Sequence, residues 1–257
     1  MTTHFDAASQ AGTTSADAIT TGRSMTEEVL PFTVRVVRND KQLQKAVTLR
    51  QAAYSRHVPE FAAQLRTPEP ADSDPGSIVL FAESKLDGSV LGTMRIQTNR
   101  YGSLGIEESI DLPDWLQGVT LAEATRLGVA EGREGRLVKT ILFKAYFLYC
   151  QHAMIDWMVI TARKPLDRQY EALLFKDVFA AGKYIPMHHV GGIPHRVMAF
   201  HIPTAEMRWT AAHHPLYDFM CRTWHPDIHI EVDETVALSH FMALGTSTAG
   251  NTIAVPL

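Results

Sequence analysis

The chain has 257 residues, of which 46% are hydrophobic and 20% are charged, and its formal net charge at pH 7 is −4. This is the composition of an ordinary globular protein, and the weakly acidic balance gives no reason to expect a nucleic acid partner. Two cysteines, Cys150 and Cys221, are too few for a disulfide framework, so a reducing cytoplasm is the expected location.

Both ends of the chain differ in composition from the middle. Residues 1–30 are rich in Thr, Ala and Ser, are predicted to be disordered, and lack the apolar core of a secretory signal. Residues 233–257 are weakly patterned and are predicted to form a tail. Residues 31–232 are therefore the predicted domain, and no apolar run in the chain is long enough to predict an integral membrane segment.

The first half of the domain predicts a strand, a helix and a hairpin. Residues 32–38 are rich in β-branched side chains and predict a strand. Asn39 or Asp40 can cap a helix over about 41–55. Residues 58–77 predict loop or short helix, and 78–97 predict a hairpin that turns at "LDGS".

The second half alternates strands with helices. The segment "TLAEATRLGV" at 120–129 predicts a fourth strand, and 136–152 predict a helix with Leu137, Ile141, Ala145 and Leu148 on one face. The stretch "WMVITA" predicts a fifth strand, a helix follows Pro165, and "HRVMAFHI" predicts a later strand. The predicted class is therefore a mixed α/β (α+β) domain.

Charged side chains stand where the apolar pattern predicts core. Arg50 falls on the buried stripe of the first helix, Arg95 lies on the third strand, and Glu123 lies on the fourth. Arg126 falls on the opposite face from Glu123 unless a bulge redirects it. One interpretation is a structural network that pairs Glu123 with Arg95 or Arg50; the other is a carboxylate base in a cleft flanked by arginines.

The order of these motifs resembles that of GNAT acyltransferases, and in particular of the acyl-homoserine lactone synthases and the related N-acyl amino acid synthases. The stretch between Arg50 and Trp115 lacks the tryptophan common in the lactone synthases, and "GGIPHRVMAF" resembles the amino acid branch. The motifs that carry the resemblance are Arg50 with Tyr54, the acidic pair Asp72 and Asp74, Arg95, Glu123 with Arg126, and Tyr170 in "RQYEALLF".

The resemblance implies a mixed central sheet flanked by helices, with strands four and five splayed apart. It also implies an acyl donor. The loop "AEGREGR" lacks the glycine pattern with which GNAT enzymes bind coenzyme A, which favours acyl carrier protein, with the acyl group on its phosphopantetheine and no separate cofactor. Residues 133–168 hold seven basic and three acidic groups, a net +4 that would attract an acidic carrier protein.

The residues predicted to dock the carrier protein are Arg133, Arg136, Lys139 and Lys144. The alternative for these side chains is an ordinary solvated helix face.

The implied reaction is aminolysis of a thioester by an amino acid in the cytoplasm. The predicted catalytic residues are Glu123 as base, Arg126, and Tyr170 as proton donor to the thiolate, with a packed aromatic ring as the alternative for Tyr170. The predicted substrate-binding residues are Arg50 and Arg95 for the carboxylate, Asp74, and the backbone of Leu127 and Val129 at the oxyanion. Walls of an acyl tunnel, or plain core, are predicted at Leu142, Phe143, Phe147, Met158 and Phe175.

Other functions stay open on the sequence alone. They are a lactone synthase that uses S-adenosylmethionine, an acyltransferase that uses acyl-CoA, and an acyl-binding module without catalysis. The histidines at 188, 189, 213, 214, 225 and 229 match no closed zinc pattern, so no metal is expected. The sequence leaves open the amino acid, the acyl chain length and the oligomeric state.

Overall fold

A computed structural model describes residues 25–230. Most of the predicted N-terminal segment and the predicted C-terminal tail lie outside the described residues. The described part of the first, residues 25–30, contains a two-residue strand and the buried side chain of Leu30.

The strands begin and end close to the predicted positions, and several short ones are added. The described strands are β1 Thr26–Glu27, β2 Phe32–Val36, β3 Ser77–Ser84, β4 Val90–Thr98, β5 Leu121–Val129, β6 Trp157–Ala162, β7 Lys176–Asp177, β8 Ile185–Met187, β9 Ile193–His201, β10 Thr223–Trp224 and β11 Ile228–His229.

One mixed sheet forms the centre of the domain, in the order β11-β2-β3-β4-β5-β6-β9-β7, with β8 paired to β9. Strands β2 to β5 are antiparallel neighbours, whereas β5 and β6 are parallel and joined by a helix. The predicted mixed α/β class and flanked central sheet are thereby confirmed.

Helices cover both faces of the sheet. The first begins where the sequence predicted, because the Asn39 side chain accepts a hydrogen bond from the Gln42 N–H at 3.0 Å. The helices are α1 Asp40–Ser55, α2 Pro59–Ala62, α3 Gly135–His152, α4 Asp167–Ala172 and α5 Ala205–Ala211, with short helical turns at 63–65, 70–72, 105–108, 114–116, 188–190, 202–204 and 218–222. Among residues 25–230 no helix is long and apolar enough to cross a membrane.

Helix α3 is the centre of the larger core. It is buried on more sides than predicted, because the sheet covers one side and the chain from α5 to β10 covers another. Two of the four residues on its predicted buried face, Leu137 and Leu148, are only half-buried, and Val138 and Leu142 are fully buried instead. The five candidate tunnel walls all belong to this core, so plain core is the interpretation that the packing supports: Leu142, Phe143, Phe147, Met158 and Phe175.

Candidate active site

Strands β5 and β6 separate halfway along their length. Their pairing runs from Leu121 with Trp157 to Ala124 with Ile160 and stops there, which confirms the predicted splay. A cavity of about 270 Å³ opens at this point, between the ends of the two strands and the last turn of α1. Backbone N–H groups of β5 that face β6 lose their strand partner beyond Ala124, as an oxyanion site requires.

A β-bulge in β5 turns Arg126 toward the same side of the sheet as Glu123. Arg126 has a φ of 55°, and the pairing with β4 shifts register between Arg95 and Thr93. The bulge was the condition under which the two side chains could share a face, and the structure meets it. The Arg126 side chain lines the cavity and lies 5.1 Å from the centre of the Phe61 ring.

Three arginines and two carboxylates form a buried group beside the cavity, here called the arginine cluster: Arg50, Arg95, Arg126, Glu69 and Asp72. Arg50 donates to both oxygens of Asp72 at 2.9 and 2.8 Å, and Arg126 donates to both oxygens of Glu69 at 2.7 and 2.6 Å. Arg95 donates to each carboxylate at 3.3 Å and to the Thr125 hydroxyl at 3.2 Å.

The pairing of Glu123 with Arg95 or Arg50, one of the two interpretations that the sequence left open, is not found: both guanidinium groups bind Glu69 and Asp72 instead. Burial opposes ionisation of these two acids, but the hydrogen bonds from Arg126 and Arg50 outweigh it and lower both pKa values. With three cations and two anions, the cluster keeps one net positive charge next to the cavity.

Two nitrogens of the cluster, Arg50 Nε and Arg126 Nη1, are buried and have no hydrogen-bond partner among the described residues. Arg50 and Arg95 do not line the cavity. Of the three arginines, Arg126 is thus the one placed to meet a ligand.

Glu123 is fully buried and does not line the cavity. Its Oε2 accepts a hydrogen bond from the Ile106 N–H at 3.2 Å, and its Oε1 has no hydrogen-bond partner among the described residues. Desolvation raises the pKa of Glu123 to about 7, since the bond from Ile106 and the charges of Arg95 and Arg126 only partly offset it. Its role as base stays a prediction.

His189, which the sequence analysis considered only as a zinc ligand, is a neighbour of Glu123. Its Nε2 lies 3.5 Å from Glu123 Oε1 and 3.5 Å from the hydroxyl of Thr161, which lines the cavity. Burial and the charge of Arg126 lower the pKa of His189 to about 4, so the ring is neutral at pH 7. No spacing signal connects residues 123, 161 and 189, and only the fold brings them together.

Tyr170, Leu127 and Val129 line the cavity, so their predicted roles are geometrically open. Desolvation raises the pKa of Tyr170 to about 12. The ring also packs edge-on against Phe143 and Phe175, with centroid distances of 6.5 and 5.6 Å. The aromatic packing of Tyr170 is therefore observed, and its role as proton donor stays a prediction.

The cavity wall carries positive charge only. Among the residues described, no Asp or Glu lines the cavity, whereas four arginine or lysine side chains and two histidines do. The basic side chains are Arg56, Arg126, Lys139 and Arg163, and the histidines are His57 and His195. Such a wall is suited to a ligand that carries anionic groups.

The predicted docking residues separate into three positions. Arg133 and Arg136 are exposed at the start of α3, and Lys139 lies at the cavity, where it donates to Gln169 Oε1. The predicted docking role of Lys144 is wrong. Its side chain is 1% exposed and its amine donates to the carbonyls of Phe219 and Thr223, so it cannot touch a docked protein.

The predicted acidic pair also separates. Asp72 is part of the arginine cluster, while Asp74 is exposed and its side chain stands outside that cluster. The second acidic residue of the arginine cluster is Glu69, which no sequence motif indicated. Across residues 25–230, no group of three or more His, Cys, Asp or Glu is placed to hold a metal ion.

Comparison with known proteins gives a family and a fold. The family described as N-acyl amino acid synthase FeeM matches residues 45–199, which is more than half of the chain. No sequence among the curated proteins matches.

Two of the solved structures that match this chain show its fold. One is FeeM, an N-acyl amino acid synthase from uncultured soil microbes, with a TM-score of 0.57 at 18% identity, covering 74% of this chain and 97% of FeeM. The other is the CoA-dependent acyl-homoserine lactone synthase BjaI, with a TM-score of 0.51 at 13% identity, covering 81% of this chain and 99% of BjaI. The fold is that of the GNAT acyltransferases.

Proposed function

The chain belongs to the N-acyl amino acid synthase family of FeeM and is an N-acyltransferase, and from this premise we propose that it moves a long-chain acyl group from acyl carrier protein to the α-amine of an amino acid. The observation that carries the proposal is the cavity at the β5–β6 divergence, in whose wall residues 25–230 place basic side chains and no carboxylate. Both proposed substrates are anionic: the phosphopantetheine arm carries a phosphate, and the amino acid carries a carboxylate.

The choice of acyl carrier protein over acyl-CoA rests on the loop between β5 and α3. Residues 130–136 read "AEGREGR", which lacks the glycine pattern that binds a pyrophosphate through backbone N–H groups and contains two acidic residues, Glu131 and Glu134. The exposed Arg133 and Arg136 add positive charge at the same end of α3. An acidic carrier protein matches this surface, and it delivers its arm without an adenine nucleotide. No separate cofactor is proposed.

For the acceptor, we assign the carboxylate to Arg126. Its Nη1 is unpartnered and its guanidinium is fixed by Glu69, so a carboxylate can add one further charge-assisted hydrogen bond at little ordering cost. Arg50 and Arg95 then hold the cluster in place rather than touch the substrate, which changes their predicted role.

The proposed chemistry forms a C–N bond and breaks a C–S bond. The ammonium loses one proton, with Glu123 as the final acceptor, and the neutral amine nitrogen then attacks the thioester carbon; the nitrogen of the adduct loses its second proton to solvent as the C–S bond breaks. Unpaired N–H groups of β5 near Leu127 and Val129 stabilise the oxyanion. The pKa of Tyr170, about 12, exceeds the ordinary thiol value of about 8.5, so its hydroxyl donates a hydrogen bond to the thiolate, and solvent supplies the proton.

The test is a donor and acceptor comparison with the full chain. Acyl groups of equal length are supplied on acyl carrier protein and on CoA, with a panel of amino acids or with S-adenosylmethionine, and products are read by mass spectrometry. We expect an N-acyl amino acid, formed at lower donor concentration from the carrier protein. A lactone product, turnover from acyl-CoA alone, or binding without turnover would each contradict the proposal.

A further inference from the structure

The carboxyl of Glu123 has no direct route to a substrate in the cavity. Its side chain is 0% exposed and is absent from the cavity wall. A base must lie within hydrogen-bond reach of the proton that it removes, either directly or through an intervening group. A catalytic role for Glu123 therefore requires a connection through the wall.

Thr161 and His189 span this gap. Thr161 lies on β6 just beyond the last β5–β6 pair, and its residue lines the cavity. His189 Nε2 stands between two oxygens at equal distances, the Thr161 hydroxyl at 3.5 Å and Glu123 Oε1 at 3.5 Å. Both distances exceed the roughly 2.6–3.2 Å over which a proton is transferred, and Glu123 Oε1 has no hydrogen-bond partner among the described residues, so both contacts must shorten when substrate binds.

The segment that carries His189 is held on both sides. Arg126 Nη2 donates to the His189 carbonyl at 2.8 Å, and the His188 N–H donates to Ser109 Oγ at 2.7 Å. The turn closes at Gly191, whose φ of 73° suits glycine and whose N–H donates to the His188 carbonyl. Arg126, assigned above to the substrate carboxylate, therefore also fixes the position of the imidazole.

We propose that Thr161 and His189 relay a proton from the acceptor amine to Glu123. This inference rests on the proposed function and deepens it. The ammonium gives a proton to Thr161 Oγ1, Thr161 gives its own proton to His189 Nε2, and His189 passes it to Glu123 Oε1. Thr161 and His189 end as they began. The ammonium becomes a neutral amine and the carboxylate becomes a neutral acid, so one positive and one negative charge disappear together.

The surroundings support both ends of the relay. Glu123, with a pKa of about 7, is a stronger base than an ordinary carboxylate, and the ring of His189, with a pKa of about 4, is neutral and free to accept. The charged and titratable groups that act on this pair are Arg95, Arg126, Glu108, His195 and Tyr146.

The experiment compares Thr161→Val, Thr161→Ser and His189→Gln with the wild type, and uses His188→Gln as the matched control. His188 is adjacent, exposed and outside the relay. At about pH 7 we expect kcat for amino acid acylation to fall by roughly 10²-fold in Thr161→Val and His189→Gln, with KM for the acyl donor unchanged. Thr161→Ser keeps the hydroxyl and should retain most of kcat, and His188→Gln should match the wild type.

A pH series separates a relay from a structural role. As the pH rises, solution itself deprotonates the amine, so the deficit of the two impaired variants should shrink, whereas a misfolded or misaligned site would keep its deficit. Wild-type kcat in Thr161→Val, or a loss of equal size at every pH, would overturn the relay. Thr161→Val carries the test alone if His189→Gln does not fold. Failure of the proposed function looks different, because the wild type itself would then form no N-acyl amino acid.

Discussion

At the scale of single residues, the burial of Glu123 has an energetic consequence that depends on pH. Its folded pKa of about 7 lies above the ordinary value of 4.5. Below that ordinary value the carboxyl is protonated in both the folded and the unfolded state, so it costs no stability. As the pH rises from there through about 7, the free energy of unfolding decreases, because the unfolded state ionises first. A pKa difference of that size corresponds to roughly 3 kcal/mol. We therefore expect Glu123→Gln to gain stability relative to the wild type at pH 9 but not at pH 4, measured by urea denaturation.

The exposed Glu108 provides the control for this measurement. It lies near Glu123 in space and allows the same substitution. Glu108→Gln should change the free energy of unfolding by only about 0.5 kcal/mol or less at either pH. A Glu123→Gln stability curve parallel to that of the wild type would contradict the raised pKa.

Glu123→Gln should lower activity, although it should raise stability at high pH. If Glu123 is the final proton acceptor, Glu123→Gln should lower kcat by about 10²- to 10⁴-fold while the protein stays folded. In the wild type, kcat should rise with pH through about 7, as the carboxyl ionises. Steady-state rates over a pH series measure both effects, and a folded variant with near wild-type kcat would remove Glu123 from the mechanism.

At the scale of elements, the arginine cluster joins a helix, the sheet and a helical turn through side-chain ion pairs. Arg50 comes from α1, Arg95 from β4, and Asp72 from the turn before β3. Removing one member of a buried ion pair leaves uncompensated charge, which typically costs about 3–5 kcal/mol. Asp72→Asn should therefore destabilise the domain by about that amount in denaturant titrations at pH 7.

Asp74→Asn is the matched control, because it lies two residues away and is exposed. Its effect on the free energy of unfolding should stay within about 0.5 kcal/mol. Equal effects of the two substitutions would mean that the pairing with Arg50 and Arg95 does not stabilise the fold. Asp74→Asn also tests the substrate-binding role predicted for Asp74, through KM for the amino acid.

At the scale of the whole molecule, the exposed basic end of α3 should govern encounter with the donor. Reversing Arg133 and Arg136 to Glu should raise KM for acyl carrier protein by roughly tenfold at low salt, with kcat and stability little changed. The effect should shrink as salt is added, because exposed charges are screened. Rates at two ionic strengths measure it.

Lys41→Glu with Lys45→Glu is the control for that double reversal. It makes the same change in net charge near the start of α1, whereas the cavity meets the other end of this 16-residue helix. KM should stay near the wild-type value in this variant. An equal rise in both double variants would indicate a general charge effect and no defined docking surface.

The main elements could be predicted because their signals are local. Alternating β-branched residues, the cap at Asn39 and the turn at 86–89 act within a few residues, and the structure confirms each of them. The buried face of α3 was predicted incorrectly, and the cause is a contact with a distant part of the chain. Lys144 looks solvent-facing in a helical pattern, but the carbonyls of Phe219 and Thr223 come from a segment more than 70 residues away.

By itself, the sequence determined that charge lies inside this domain, since Arg50, Arg95 and Glu123 interrupt apolar patterns, and it determined the family through the order of those motifs. Only the tertiary structure decided which charges pair. Glu69 and Asp72 occupy the arginines, and Glu123 is left with Ile106, His189 and an unpartnered oxygen. The reason is physical: burial is encoded by local periodicity, whereas the partner of a buried charge depends on which distant segments the sheet and its bulge bring within a few ångströms.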